Sequence, residues 1–110
     1  MAYFLMRCLH HPDMDELRQK HRPRHREWVS SGGNGLVSVL IGSALTDSSG
    51  ASQGNFGILE ARSEADARAF AAGDPFAQEG VVSDIELTPL PDTFQADRIV
   101  DPMSPRLVIT

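Results

Sequence analysis

The sequence predicts an α+β domain of ferredoxin-like architecture, a four-stranded antiparallel sheet with two helices on one face. Three observations carry that expectation. Four apolar runs of strand length fall at 2–9, 36–45, 55–61 and 81–87. Two stretches dense in helix-favouring residues, 13–31 and 63–72, separate the first run from the second and the third from the fourth. The middle two runs are joined without a helix, by a Ser, Asp, Gly and Ala loop over 46–54, so the order is β-α-β-β-α-β. Strand-helix-strand units of this length cross over right-handedly, which brings both helices to the same side of the sheet.

Each element has its own reason. Tyr3, Phe4 and Leu5 centre the first strand, and His10, His11, Pro12 and Asp13 break it. The next stretch contains Pro23, which lacks a backbone donor, so an irregular turn is expected through about His21 and a regular helix from Pro23 to Ser31. Gly32, Gly33 and Gly35 stop that helix. Leu36, Val37, Val39, Leu40 and Ile41 mark the second strand, and Phe56, Ile58 and Ala61 the third. Ser63 is positioned to cap the second helix, with Glu64 and Asp66 in its first turn and Ala65, Ala69, Phe70 and Ala72 as its apolar face. Gly73, Asp74 and Pro75 end it, and Val81, Val82, Ile85 and Leu87 make the fourth strand before Pro89 and Pro91.

Two helices cover one face of such a sheet, and the other needs a partner surface, for which a second copy of the chain is the simplest candidate. Residues 1–90 therefore read as the folded domain. Residues 91–110 read as a carboxy-terminal extension that ends in Leu107, Val108 and Ile109, either a strand added to an edge, a strand exchanged with a dimer partner, or a frayed tail.

Composition narrows the function classes. The chain has 110 residues, enough for one core, and 10 basic against 15 acidic residues give a net charge of −5. With 6% aromatic residues this argues against nucleic acid as a partner. A single cysteine forms no intrachain disulfide, which fits a reducing compartment, and Cys8 reads as a buried strand thiol. The apolar start lacks a basic leader region, and no apolar run approaches the ~20 residues that span a bilayer, so a cytoplasmic location without membrane contact is expected. The average charge conceals a polarity, because six of the 10 basic residues, Arg7, Arg18, Lys20, Arg22, Arg24 and Arg26, precede residue 30. Such a cluster either draws an anionic molecule or forms a solvated helix face.

His10 and His11, with His21 or His25, raise a metal reading, but their spacing follows no known ligand pattern, so neither a metal nor an organic cofactor is expected. Gly32-Gly33-Asn34-Gly35 does not lead from a strand into a helix and is not a phosphate loop.

Arg22-Pro23-Arg24-His25 followed by Trp28, then Leu40-Ile41-Gly42-Ser43, then Ser63 to Phe70 and Gly73-Asp74-Pro75-Phe76-Ala77-Gln78-Glu79-Gly80-Val81 resembles the YciI-like (YCII-related) family over Ala2 to about Leu90. Asp-Pro-Phe-x-x-x-Gly-Val after an Ala-rich helix is the most specific element, and Arg-Pro-x-His the second. The chain departs from the family in Gly42-Ser43, where Gly-Pro is frequent, and in His10-His11 after the first strand. The resemblance implies a ferredoxin-like fold that pairs as a dimeric α/β barrel. It also implies an enzyme in which a His and an Asp meet in a cleft, one group of relatives resembling a dehydrochlorinase of a hydroxyquinol. The motif histidine falls on His25 and the motif aspartate on Asp74, the candidate catalytic pair.

A carboxylate beside His25 would fix its tautomer and make it a proton-transfer group. Asp74 is the natural partner, and it equally suits a local cap on backbone N–H groups. Asp47, at the entry to the polar loop, is a second possible partner, and Ser43 and Arg22 are possible substrate-binding residues beside it. The expected function is a small cofactor-independent enzyme of isomerase, lyase or dehydrochlorinase type, acting on a small anionic or phenolic molecule as a homodimer. The alternative is a non-catalytic dimeric module that binds a metabolite or another protein. A monooxygenase of the same barrel architecture is disfavoured, because so few aromatic residues leave little to line an aromatic pocket.

Overall fold

The computed structural model describes residues 1–108. Four strands, β1 (Ala2–His10), β2 (Val37–Thr46), β3 (Ser52–Ala61) and β4 (Val82–Leu90), form one sheet in the order β2-β3-β1-β4, with every neighbouring pair antiparallel. Helices α1 (Asp15–Ser30) and α3 (Glu64–Gly73) make the two crossovers, and two short turns of helix, α2 (Gly32–Gly35) and α4 (Pro75–Gln78), follow them. This is the ferredoxin-like topology. The core lies between the sheet and α3, where Phe4, Met6 and Cys8 of β1, Val37 and Val39 of β2 and Leu59 and Ala61 of β3 meet Ala67, Phe70 and Ala71.

Four expectations are corrected. Helix α1 is continuous from Asp15 through Pro23, because Pro23 is exposed and the carbonyl it leaves without an intrahelical donor is on the wet side of the helix. The α3 residues that meet the sheet are Ala67, Phe70 and Ala71, whereas Ala65, Ala69 and Ala72 are exposed. Strand β3 begins at Ser52, which shortens the hairpin loop. Strand β4 runs through Pro89 to Leu90, and a proline fits there because β4 pairs only with β1 and is an edge strand.

Trp28 fixes α1 to α3. Its indole Nε1 donates to the Phe70 carbonyl at 3.0 Å, and its ring lies nearly parallel to that of Phe70. Glycines make the room: a Cβ on Gly33 would stand 2.9 Å from the indole, and one on Gly73 2.6 Å.

The face of the sheet away from the helices is only partly covered. Residues after Leu90 cross the row Leu90, Tyr3, Glu60, Ser38: Phe94 packs on Tyr3, Ser104 meets Ser38, and Arg106 pairs with Glu60. The next row, Thr88, Leu5, Ile58 and Ile41, carries three aliphatic residues, and Ile41 is 46% exposed. The extension thus returns to β2, where Met103 N–H donates to the Leu40 carbonyl and Ser104 N–H to that of Val39. Of the three residues expected to form its terminal strand, Leu107 and Val108 lie outside any strand and Ile109 lies outside the described residues.

Candidate active site

Asp74 and His25 meet through the junction of α3 and α4. Asp74 leaves α3 in extended geometry and caps α4, its Oδ1 accepting the Phe76 N–H at 2.8 Å, while Pro75 occupies the first helical position, where a missing N–H costs nothing. The Asp-Pro-aromatic motif is therefore a helix start. It leaves the carboxylate, buried at 4% exposure, facing α1, where His25 Nδ1 lies 2.8 Å from both oxygens. Capping and orienting are done by the same side chain. A carboxylate only accepts, so Nδ1 carries the hydrogen and donates it, which leaves the Nε2 lone pair free. Phe76 stacks on the imidazole at 4.1 Å with planes 7° apart and fixes the ring from the other side.

His25 and Asp74 border a cavity of about 380 Å³ between α1 and the β2-β3 side of the sheet. The inward face of α1 is half polar. Met14, Leu17, Arg18, His21, Arg22, His25, Trp28 and Val29 are shielded at helical spacing, and of these Arg18, Arg22, His25 and Val29 line the cavity, joined by Arg26. An aliphatic stripe would be the ordinary content of such a face. Three guanidinium groups against the single carboxylate of Asp74 make the cavity electropositive in a chain of net charge −5.

His10, Arg18, Asn55 and Phe76 border the same cavity. Sequence reasoning named His10 as a possible metal ligand, Arg18 as one of a basic cluster and Phe76 within the motif, placed none of them at the site, and did not single out Asn55. Arg18, 6% exposed, donates from Nη1 to His10 Nδ1 at 3.2 Å and pairs with Asp15 through Nη2. Because Nδ1 of His10 accepts, its Nε2–H donates to Asn55 Oδ1 at 2.9 Å. Burial pushes the His10 pKa down and the charge of Arg18 adds to it, against opposing contributions from the Asn55 hydrogen bond and the Asp74 carboxylate. His10 is thus a fixed neutral group on the cavity floor. Burial, with the charge of Asp74 second, pushes the Cys8 thiol up to about 12, which makes it an inert packing group. The signal for Arg18 was present in the sequence: continued through Pro23, the helical spacing places it one turn before Arg22 on the same face as His25.

The remaining candidates are placed differently. Arg22 lines the cavity. Ser43 borders it, but its register with Phe56 and Arg7 turns the side chain to the opposite face, where the hydroxyl donates to the Ala44 carbonyl. Asp47 is in the exposed hairpin loop, where its carboxylate accepts from the Ser49 and Ala51 N–H groups, and it is not near His25. These hydrogen bonds, the Ser49 hydroxyl first, hold its carboxyl below the usual carboxylate range. The four histidines do not converge. His11 is exposed, His21 bonds Arg24 and faces Glu79, and no group of three or more His, Cys, Asp or Glu among the described residues is arranged to hold a metal ion. Phe70 and Phe76 border the cavity, whereas Phe56, in register with Ser43 and Arg7, borders it but turns its ring to the opposite face. No described helix is long and apolar enough to cross a membrane.

The model of the YCII-related domain matches residues 1–91, so only the extension lies beyond it. Among solved structures, 5-chloro-2-hydroxyhydroquinone dehydrochlorinase from Burkholderia phenoliruptrix AC1100, in complex with 2,5-dihydroxybenzoquinone, is similar with a TM-score of 0.70 at 18% identity, covering 81% of this chain and 93% of that one. A protein from Bacteriodes thetaiotaomicron VPI-5482 described as an antibiotic biosynthesis monooxygenase is similar with a TM-score of 0.51 at 20% identity, covering 84% of this chain and 90% of the other. At these identities the likeness is one of fold. No curated protein matches.

Proposed function

The chain belongs to the YCII-related domain family, and we propose that it is a small enzyme in which His25, oriented by Asp74, transfers a proton on a small phenolic or otherwise anionic molecule. One observation carries this reading: His25 Nδ1 is 2.8 Å from both oxygens of a buried carboxylate while the residue borders a cavity of small-molecule size. In the first step Nε2 takes the proton of a ring hydroxyl, and the positive charge formed on the imidazole is balanced by Asp74. The oxyanion left on the substrate is stabilised by Arg18, Arg22 and Arg26. The electron pair then moves into the ring, which picks up the proton from His25 at carbon, an isomerisation; where that carbon carries a halide, loss of the proton of a second ring hydroxyl to the regenerated base and departure of the halide ion give a quinone, an elimination. The dehydrochlorinase of like fold supports the second course. No organic cofactor enters either one.

We further propose that the working unit is a homodimer paired through the partly exposed row of Leu5, Ile58 and Ile41, as the family's barrel arrangement implies.

The test is a titration with 4-nitrocatechol, whose absorption shifts on ionisation, followed by assay of 5-chloro-2-hydroxyhydroquinone for chloride release. Wild type is expected to bind the ionised probe, and His25→Ala to bind it without ionising it. A His25→Ala variant that releases chloride at the wild-type rate would overturn the catalytic assignment. Tight binding with no turnover of any phenol would make the protein a metabolite-binding module.

A further inference from the structure

The cavity is built by more than the family domain. Its lining follows α1 from Arg18 to Val29, a run of ~17 Å at ~1.5 Å per residue. The Arg18 end is polar, with His10 and Asn55 beside it, and the Val29 end is apolar, with Val39, Phe70 and Met103. Met103 alone among the described residues after 91 contributes to this lining, and it closes the apolar end at the β2 edge.

Its position is held firmly. Met103 N–H donates to the Leu40 carbonyl at 3.3 Å, at the bulge of β2. Ser104, 3% exposed, donates its N–H to the Val39 carbonyl at 3.1 Å, accepts the Val39 N–H on its hydroxyl at 2.7 Å, and accepts the Ser38 hydroxyl on its carbonyl at 3.2 Å. Two residues on, Arg106 forms a two-point contact with Glu60, Nε to Oε1 at 3.0 Å and Nη2 to Oε2 at 2.5 Å, and Glu60 is 2% exposed. A segment with every one of these polar groups satisfied behaves as part of the wall.

We propose that this strap is the specificity wall of the site: Met103 selects ligands that carry a short apolar substituent on the side of the ring remote from the hydroxyl that His25 deprotonates. The inference rests on the proton-transfer reading of the cavity and adds the feature that distinguishes one ring substrate from another. A thioether is suited to the task, because it packs against varied apolar shapes.

The experiment is calorimetric titration with catechol, 4-methylcatechol, 4-propylcatechol and 4-hexylcatechol. It compares wild type with Met103→Ala, Met103→Trp and Arg106→Met. Wild type is expected to gain affinity up to a short chain, by as much as about fourfold per methylene buried, and to lose it for hexyl. Met103→Ala moves the optimum to a longer chain, and Met103→Trp removes the gain for every chain. Arg106→Met loosens the strap without touching the cavity and flattens the preference. Met103 is 48% exposed, so both substitutions there leave the fold intact. The same chain-length ranking in wild type and both Met103 variants overturns the strap's role. Catechol affinity indifferent to His25→Ala and Asp74→Asn overturns the proton-transfer reading instead, and a wild type that binds none of the four overturns both.

Discussion

Asp74 shows how one residue meets two needs. A helix beginning with Pro75 requires an acceptor just before it, and the aspartate that supplies it has a second oxygen left over for His25 Nδ1. Because the cap fixes the carboxylate and Phe76 stacks on the ring, the imidazole is held in one tautomer before any ligand arrives. Loss of the base in His25→Ala should lower kcat by ~10²- to 10⁴-fold. Asp74→Asn preserves the cap acceptor but can present an amide N–H to Nδ1, which would favour the opposite tautomer. Its kcat should therefore fall further than its KM rises, measured by chloride release.

At the scale of elements, α1 carries the site and α3 carries the fold. Helix α3 buries Ala67, Phe70 and Ala71 on the sheet, whereas α1 attaches through Trp28 to α3 and through His25 to Asp74 and Phe76, and keeps a polar face over the cavity. Gly73→Ala would place a Cβ 2.6 Å from the indole, and the overpacking is expected to cost ~1–3 kcal/mol and lower Tm by several degrees in a thermal melt. Unchanged Tm would mean that Trp28 moves aside freely. The strands and their antiparallel order were legible in the sequence, because apolar runs are local signals, whereas the pairing of His25 with Asp74 was an expectation that the family resemblance carried, with Asp47 open beside it. What was not legible traces mainly to Pro23. Read as an interruption, it hid the continuous spacing of Arg18, Arg22, His25 and Val29, and only the tertiary contacts show that this proline faces solvent. Asp47 and Ser43 are close to the site in sequence pattern but turn elsewhere, one into its own loop and one across the pleat, where a one-residue bulge in β2 resets which side chains face the cavity.

For the whole molecule, the extension and the open face set how the domain is completed. Burial alone would raise the Glu60 carboxyl, but the hydrogen bonds and charge of Arg106 outweigh it and hold the carboxyl below the usual carboxylate value. A depressed folded pKa contributes stability that is present above the unfolded value of about 4.3 and is lost as pH falls through the folded one. Arg106→Met should cost ~1–3 kcal/mol at pH 7, discounted for the partial exposure of the arginine. That deficit should shrink as pH falls toward 4 in denaturant titrations, because burial then favours the protonated acid. A deficit constant with pH would mean that the pair does not hold the strap. On the same face, Ile41→Asp should convert a dimer into a species of single-chain mass by light scattering, and an unchanged mass would put the interface elsewhere.

The tautomer of His25 is the central claim in its simplest form, and ¹⁵N NMR of the imidazole in the ligand-free protein measures it. In the neutral ring the hydrogen should reside on Nδ1 and Nε2 should show the shift of an unprotonated nitrogen, with the preference weakened in Asp74→Asn. A neutral His25 protonated at Nε2, or one whose tautomer ignores the loss of the Asp74 carboxylate, would contradict a base poised toward the cavity.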